Sequence, residues 1–151
     1  MKLIRTFSFI FLSLTFFSCV STKNTLKNID NLVPPPKLSN QNTFIITEFS
    51  ADSKYGFDKD YPINVYYQSA FEDDINIKRY LNALSGPNGE LISYKKTGIC
   101  CPFPTKNTST GGGFLDVYEI TYSGLKAPII LYLNRYEKGK LQIPIGLALK
   151  K

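Results

Sequence analysis

The sequence predicts an α+β fold: a small antiparallel sheet of about five to six strands and one short helix, preceded by a disordered tether. Residues 43–147 contain several short runs rich in β-branched and aromatic residues, which are typical of strands. One stretch between these runs places its apolar residues at the helical period. Residues 19–42 carry few apolar residues and three consecutive prolines, a composition typical of an extended linker.

Length and composition leave room for one domain, which we place at residues 43–151. The chain has 151 residues, of which 43% are hydrophobic and 14% aromatic. A domain with this composition can bury enough apolar surface to offset the entropy that is lost when its chain becomes ordered. The sequence therefore predicts a single modest core.

The charge pattern argues against nucleic acid as a partner. The net charge of +6 falls to +4 without Lys2 and Arg5, which lie in a predicted signal peptide, because 16 basic and 12 acidic residues remain. The lysines are scattered, whereas a surface for a phosphate backbone needs them clustered on one face. Histidine is absent, which removes the commonest general base and the commonest metal ligand. We therefore expect no nucleic acid, no metal and no cofactor.

The first 18 residues have the pattern of a secretory signal. Lys2 and Arg5 supply its positive amino-terminal part, and residues 7–17 form its apolar run. Such a run is too short to cross a bilayer as a helix. We expect residues 1–18 to be removed on export.

Cys19 follows directly and is the predicted lipidation site. Ser18 places a small residue immediately before the cysteine, which resembles the lipobox of bacterial lipoproteins. The chain departs from that pattern at Phe16 and Phe17, where a leucine and a smaller residue are usual. Acyl chains on Cys19 would anchor the protein firmly, since each buried methylene contributes about 0.8 kcal/mol. The alternative is an ordinary signal peptide, with Cys19 unmodified.

Residues 19–42 form the predicted tether. They are mostly Ser, Thr, Asn and Lys, and the prolines at 34–36 favour extended polyproline geometry. A tether of this kind would let the domain stand away from the membrane. For Leu32 and Val33 the alternative is that the segment lies across the domain surface.

Six runs are predicted strands: residues 43–49, 61–67, 91–97, 114–122, 128–136 and 141–147. Pro62 opens the second run and Pro144 lies in the sixth, and both suit a strand start or a sheet edge, where no ladder donor is needed. The run at 128–136 is apolar on both faces. We therefore expect it at the centre of the sheet, antiparallel to the run before it.

A helix of about three turns is predicted between the second and third strands. Its apolar face is formed by Ile77, Tyr80, Leu81 and Leu84, which follow the i, i+3, i+4, i+7 spacing. The aspartates at 73 and 74 suit a helix start, and the Ser-Gly-Pro sequence at 85–87 suits its end. The alternative is a hairpin with its turn at residues 87–89.

Residues 100–113 are predicted to form a long loop, because they contain two prolines, a Ser/Thr run and the triple glycine at 111–113. The glycines precede a strand, so they lack the helix amino-terminus that binds phosphate in glycine-rich motifs. We interpret them as a source of loop flexibility.

Cys100 and Cys101 leave an even number of cysteines once Cys19 is lipidated. In an oxidising compartment three interpretations stay open: two thiols without chemistry, a vicinal disulfide that shapes the loop, or a redox-active pair. The pair is not a Cys-X-X-Cys motif and no helix flanks it, which argues against thioredoxin-like chemistry. Pro102 is expected to restrict Cys101 to extended backbone geometry.

The sequence predicts no carboxylates that act together within one strand. Asp116 and Glu119 fall on opposite faces of their strand, because side chains alternate. We interpret the ten tyrosines mainly as core and rim residues, with an aromatic ligand face as the alternative.

Six short motifs stand in a fixed order between Tyr55 and Gly146: YGF at 55–57, PINV at 62–65, RYLNAL at 79–84, GPNGE at 86–90, CCPF at 100–103 and LDVYE at 115–119. Together they resemble a family of short Bacteroidetes lipoproteins. The resemblance implies an exported, lipid-anchored protein and no particular activity. Some similar sequences carry the name 2-dehydro-3-deoxyphosphooctonate aldolase, but that aldolase is a TIM barrel of about 250 residues. No catalytic residue is therefore carried over.

These observations predict a membrane-anchored lipoprotein. No aspartate follows Cys19, which favours the outer membrane with the domain facing the periplasm. We expect a non-enzymatic binding or accessory module of the cell envelope with a protein partner, because histidines and a spaced carboxylate pair are missing. The alternatives are a small envelope enzyme and a thiol redox protein that uses Cys100 and Cys101.

Overall fold

The computed structural model describes residues 24–66 and 74–151. The predicted signal peptide and Cys19 lie outside these residues. Within them the fold is α+β, with short and long strands, one short helix and two small sheets.

The elements in chain order are β1 (Ile63–Asn64), α1 (Ile75–Leu81), β2 (Leu84–Ser85), β3 (Ser93–Pro104), β4 (Gly112–Thr121), β5 (Ile129–Asn134) and β6 (Ala148–Leu149). The main sheet has the order β1-β5-β4-β3, and β2 pairs with β6 in a second sheet. β3, β4 and β5 are antiparallel neighbours, whereas β1 runs parallel to β5. The six strands of the described residues therefore form a mixed four-stranded sheet and a two-stranded one, not the single antiparallel sheet predicted.

The two longest apolar runs form the predicted antiparallel pair, β4 and β5. Asp116 lies opposite Leu133, and Ile120 lies opposite Ile129. β5 lies between β4 and β1, which confirms its predicted position inside the sheet. Leu131 and Leu133, on one face of β5, are fully buried in the main core, whereas Ile130 on the other face is 39% exposed.

Residues 43–49 form no regular strand. Their backbone makes isolated bridges, one of them between Phe49 and Ile143. Phe44 and Ile46 are buried in the main core, so the pattern of this run reflects burial along an extended segment. The predicted strand is wrong because each bridge of this run is isolated and does not extend into a ladder.

The last predicted strand, at 141–147, is also wrong, and the strand at this end of the chain is β6. Two buried tyrosines hold the segment instead. Tyr80 donates its hydroxyl to the carbonyl of Gln142 at 2.7 Å, and the amide of Gln142 donates to the hydroxyl of Tyr55 at 3.0 Å. Burial raises the pKa of both phenols, so both stay protonated.

The predicted helix is confirmed but shorter, with seven residues, or about two turns. Ile77, Tyr80 and Leu81 are fully buried, as their spacing predicted. Leu84 is buried too, but it belongs to β2. The Ser-Gly-Pro sequence at 85–87 therefore closes that short strand and not the helix. The chain does turn at residues 87–89, where the amide of Gly86 donates to the carbonyl of Glu90 at 2.8 Å, but β2 pairs with β6 and not across this turn.

Half of the predicted loop at 100–113 is strand. β3 continues to Pro104 and β4 begins at Gly112, so the connecting loop covers only residues 105–111. Prolines and glycines are tolerated at a sheet edge and next to bulges, and β3 is an edge strand with two register shifts. The composition that predicted a loop reflects this irregular edge.

The main sheet carries a core on each face. Side chains alternate along β4, so Tyr118 and Leu115 point to opposite faces. On the face of Tyr118 lies the main core, which includes the buried residues of α1. On the face of Leu115 lies a smaller cluster with Leu26 and Phe103.

Residues 24–42 lie against the domain, in contrast to the tether predicted for 19–42. Leu26 is buried in the smaller cluster. The amide of Lys27 donates to the carbonyl of Asp60 at 2.8 Å, and the amide of Asp30 donates to the carbonyl of Lys138 at 2.9 Å. Residues 26–30 therefore pack as a part of the domain, whereas Leu32, one of the two residues for which the surface-lying alternative was open, is 94% exposed.

Gly113, interpreted from the sequence as part of a flexible loop, lies buried in β4 beside two aromatic rings. A methyl group at this position would lie 2.8 Å from a ring carbon of Tyr136 and 3.0 Å from one of Phe103. Both distances are shorter than van der Waals contact. The glycine is therefore required by close packing.

We expect Gly113→Ala to lower the free energy of unfolding by about 1–3 kcal/mol, because the added methyl overpacks the cluster. Urea denaturation would measure this. Gly112→Ala is the matched control, since a methyl there meets its nearest atom at 3.8 Å. Its effect should stay within about 0.5 kcal/mol. Equal losses in the two variants would contradict the packing argument.

Candidate functional site

Cys100 and Cys101 are joined by a disulfide in the structure. The bond agrees with two of the three interpretations that the sequence left open, the disulfide that shapes the loop and the redox-active pair. The pair lies near the end of β3, at the edge of the main sheet, with Cys100 opposite Leu115 of β4. Both cysteines are half-buried and pack against the smaller cluster.

The backbone of Cys101 is left-handed, with φ at 58°, so the prediction of extended geometry before Pro102 is wrong. The reason is a bulge. Cys100 lies opposite Leu115 and Phe103 lies opposite Gly113, so β3 uses one residue more than β4 between these two pairs. An extra residue forces one backbone conformation away from the regular strand.

A groove of about 550 Å³ runs beside the disulfide. Cys101, Pro102 and Phe103 line one side of it, and Leu26 and Lys27 contribute to the other. The groove is therefore the seam between the bulge of β3 and the amino-terminal end of the described chain.

Hydrogen bonds among three asparagines hold the amino-terminal end of the described chain against the domain. Asn134 donates its amide to Asn64 at 2.8 Å, and Asn64 donates to the backbone and side-chain oxygens of Asn28 at 3.0 and 3.1 Å. Asn28 in turn donates to the carbonyl of Pro62. Asn64 and Asn134 are almost completely buried, so each amide depends on these partners.

Glu137 is a buried carboxylate whose two oxygens accept hydrogen bonds from neutral groups. Thr105 donates its hydroxyl to one oxygen at 2.6 Å, and Asn24 donates to the same oxygen at 3.3 Å. Asn107 donates to the other oxygen at 3.1 Å. Glu137 therefore ties the loop between β3 and β4 to the amino-terminal end.

A charge cluster lies on the opposite face of the sheet. The guanidinium of Arg135, directly after β5, contacts Asp116 of β4 at 2.5 Å and Asp74 before α1 at 2.6 Å. Lys96 of β3 contacts the second oxygen of Asp116 at 2.6 Å. The side chain of Asp116 is only 3% exposed, so its charge needs both cations.

Tyr118 lies beside this cluster. Burial, together with the negative charges of Asp74 and Asp116, raises the pKa of its phenol to about 12. The phenol therefore stays protonated near neutral pH and cannot serve there as a base. Its ring packs edge to face against Tyr94, with centroids 6.2 Å apart.

An exposed apolar pair borders the charge cluster. Ile99 lies opposite Asp116 and therefore on the same face of the sheet, where it is 61% exposed. Phe114, two residues before Asp116, shares this face and is 47% exposed. The pair and Lys96 form the apolar–basic patch of the sheet.

The sequence located some of these residues and missed others. Asp116 and Glu119 lie on opposite faces, as predicted from alternation. The pairing of both Asp116 and Asp74 with the guanidinium of Arg135 was not predicted from the sequence. A charged residue inside an apolar strand is the signal that could have revealed it, because such a residue needs a partner.

Two further properties concern the described part of the chain only. In residues 24–66 and 74–151, no group of three or more His, Cys, Asp or Glu side chains could hold a metal ion. No helix in the same ranges has the length and apolarity that crossing a membrane requires.

We expect Arg135→Met to lower the free energy of unfolding by about 3 kcal/mol, because it leaves the buried Asp116 with Lys96 alone. Urea denaturation would measure the loss. Lys140→Met is the control, since its pair with Glu48 is about half exposed on both sides. That loss should stay below about 1 kcal/mol. A smaller loss for Arg135→Met than for the control would refute the role given to the cluster.

The chain matches no protein-family model, and it shows no significant similarity to a curated protein or to a solved structure.

Proposed function

We propose that the protein is a lipoprotein, anchored through Cys19 to the outer membrane and facing the periplasm. Its domain serves as a non-enzymatic binding or accessory module of the cell envelope. The observation that carries this proposal is the order of a positive start, an apolar run and Ser18-Cys19.

The disulfide supports an exported location. Disulfides persist in oxidising compartments and are rare in the reducing cytosol. Cys100 and Cys101 are joined in the folded domain, while Cys19 remains for the lipid. The number of cysteines thus agrees with one acyl anchor and one internal bond.

The use of the polar groups supports a binding module over an enzyme. A catalytic acid or base must reach a substrate and exchange a proton with it. Arg135 and Asp116 pair with each other, and both oxygens of Glu137 accept hydrogen bonds that tie loops together. Tyr118 is held protonated. These groups are engaged in holding the fold.

The apolar–basic patch is the surface that we propose for a protein partner. Ile99 and Phe114 are diagonal neighbours on adjacent antiparallel strands, and both are largely exposed. Apolar and aromatic side chains with a charged rim are typical of protein interfaces. Lys96, whose side chain is 36% exposed and whose ammonium pairs with Asp116, supplies the polar rim of the patch.

A thiol redox protein is the second candidate. The observation that favours it is the position of the disulfide beside an open groove, where a small thiol could approach Cys101. Repeated reduction and reoxidation of a protein substrate by this pair would support this function over the binding module. A small envelope enzyme of another kind is a third class, with no residue to which we assign a catalytic role.

We expect radiolabelled palmitate to enter the wild-type protein and to be absent from a Cys19→Ala variant, because this thiol is the predicted acylation site. Gel fluorography of cells grown with the label would show the difference. The matched control is a Cys100→Ala/Cys101→Ala double variant, which should keep the label. A mature wild-type protein that is soluble and unlabelled would overturn the anchor.

We expect an Ile99→Ser/Phe114→Ser double variant to lose a partner that the wild type captures from detergent-solubilised envelope membranes, because it removes the apolar part of the patch. Affinity capture with mass spectrometry would identify the partner. Leu91→Ser is the control, since Leu91 is 73% exposed and precedes β3. Capture of the same partner by both variants would show that this patch is not the interface.

A further inference from the structure

Cys101, one partner of the disulfide, has a backbone conformation that its residue type disfavours. The φ of 58° is left-handed, which is costly for a residue with a Cβ atom. The following residue is Pro102, which further narrows the conformations open to Cys101. A bond between the two sulfurs limits how far the backbone of this pair can relax.

The same bulge decides where Phe103 points. One extra residue on β3 places Phe103 opposite Gly113, on the face of Leu115. Without the bulge the side chain would turn to the opposite face, because a shift of one residue exchanges the two faces of a strand. Phe103 is 3% exposed, so its position depends on this shift.

Leu26 packs in one buried cluster with Phe103 and Leu115. Only three residues of this cluster are buried, and the cysteines themselves pack against it. The amide of Leu26 donates to the side-chain oxygen of Asn24 at 3.0 Å, and the amide of Lys27 donates to the carbonyl of Asp60 at 2.8 Å. Residues 24–27, the amino-terminal strap, are thus held at the bulge by one apolar contact and a few hydrogen bonds.

We propose that the Cys100–Cys101 bond is a redox-sensitive latch for the amino-terminal strap. While the bond is intact, the bulge keeps the side chain of Phe103 on the face of Leu115, and the strap stays packed against the domain. When the bond is reduced, the backbone of Cys101 relaxes towards extended geometry. The packing of Phe103 around Leu26 is then disturbed, and the strap loosens.

The reaction is a thiol–disulfide exchange with a dithiol. A thiolate of the dithiol attacks one sulfur of the pair, which forms a mixed disulfide and releases the other cysteine as a thiolate. The second thiol of the reagent then displaces the first cysteine. The protein gains two electrons and two protons as two thiols, and the dithiol becomes a disulfide. The groove beside Cys101 gives the reagent its access.

The consequence for the membrane rests on the proposed function. If Cys19 is acylated, the strap lies five residues beyond the anchor and is the first described part of the chain to meet the domain. Loosening the strap weakens the contacts between the domain and the segment that joins it to the acylated Cys19. The latch itself needs no lipid, so failure of palmitate labelling would leave it standing.

Hydrogen exchange on the full mature chain in detergent tests the latch, with dithiothreitol as the dithiol. We expect the amides of Leu26 and Lys27 to exchange about tenfold faster after reduction, the change that follows from releasing one left-handed residue. Amides in β4 and β5 should change much less. Equal exchange of the strap before and after reduction, or equal acceleration throughout the sheet, would overturn the proposal.

Two double variants separate the backbone effect from the loss of the bond. Cys100→Ala/Cys101→Ala should exchange like the reduced protein. Cys100→Ala/Cys101→Gly should stay closer to the oxidised protein, because glycine adopts a left-handed conformation without cost. A glycine variant whose strap is as loose as that of the alanine variant would refute the role of the Cys101 backbone. Leu26→Ala should loosen the strap in both redox states.

Discussion

The two cores depend on the register between β3 and β4. Side chains alternate between the two faces along each strand, and each of two bulges in β3 shifts this alternation by one residue. Between the bulges Ile99 lies opposite Asp116, and Cys100 lies opposite Leu115. The second bulge then returns Phe103 to the face of Leu115. Because a shift of one residue exchanges the faces of a strand, an unbulged β3 would point Phe103 to the other side. The smaller cluster and the docked amino-terminal segment both follow from this register.

The bulges also shape the free edge of the sheet. β3 has twelve residues and, within residues 24–66 and 74–151, β4 as its one neighbour, so one side of its backbone is unpaired in these ranges. Edge strands of this kind are protected by bulges, lysines and proline. β3 carries all three, with Lys95, Lys96 and Pro102 on or next to its bulges. Strand addition at this edge is therefore disfavoured, and the surface that we propose for a partner lies on the face that presents Ile99 and Phe114.

Buried polar groups join parts of the chain that the apolar core alone would leave loosely connected. Arg135 links the start of α1 to the sheet through two carboxylates, and the asparagine chain links residue 28 to β1 and β5. Each group is expensive to bury without its partner, so the networks specify one arrangement of these segments. The charged and amide groups of these two networks are therefore occupied in defining the fold.

The sequence by itself determined the features that depend on local pattern: the helix around Ile77 and Tyr80 with its buried face, and the pair β4 and β5. Periodicity reports which side of an element is buried, and that information is local. Only the tertiary structure decided the parallel pairing of β1, the course of β3 through the cysteines and the ion pairs of Arg135. Those pairs join residues 19 and 61 positions apart. Such partners are chosen by how the segments meet in space, which no single stretch of sequence specifies.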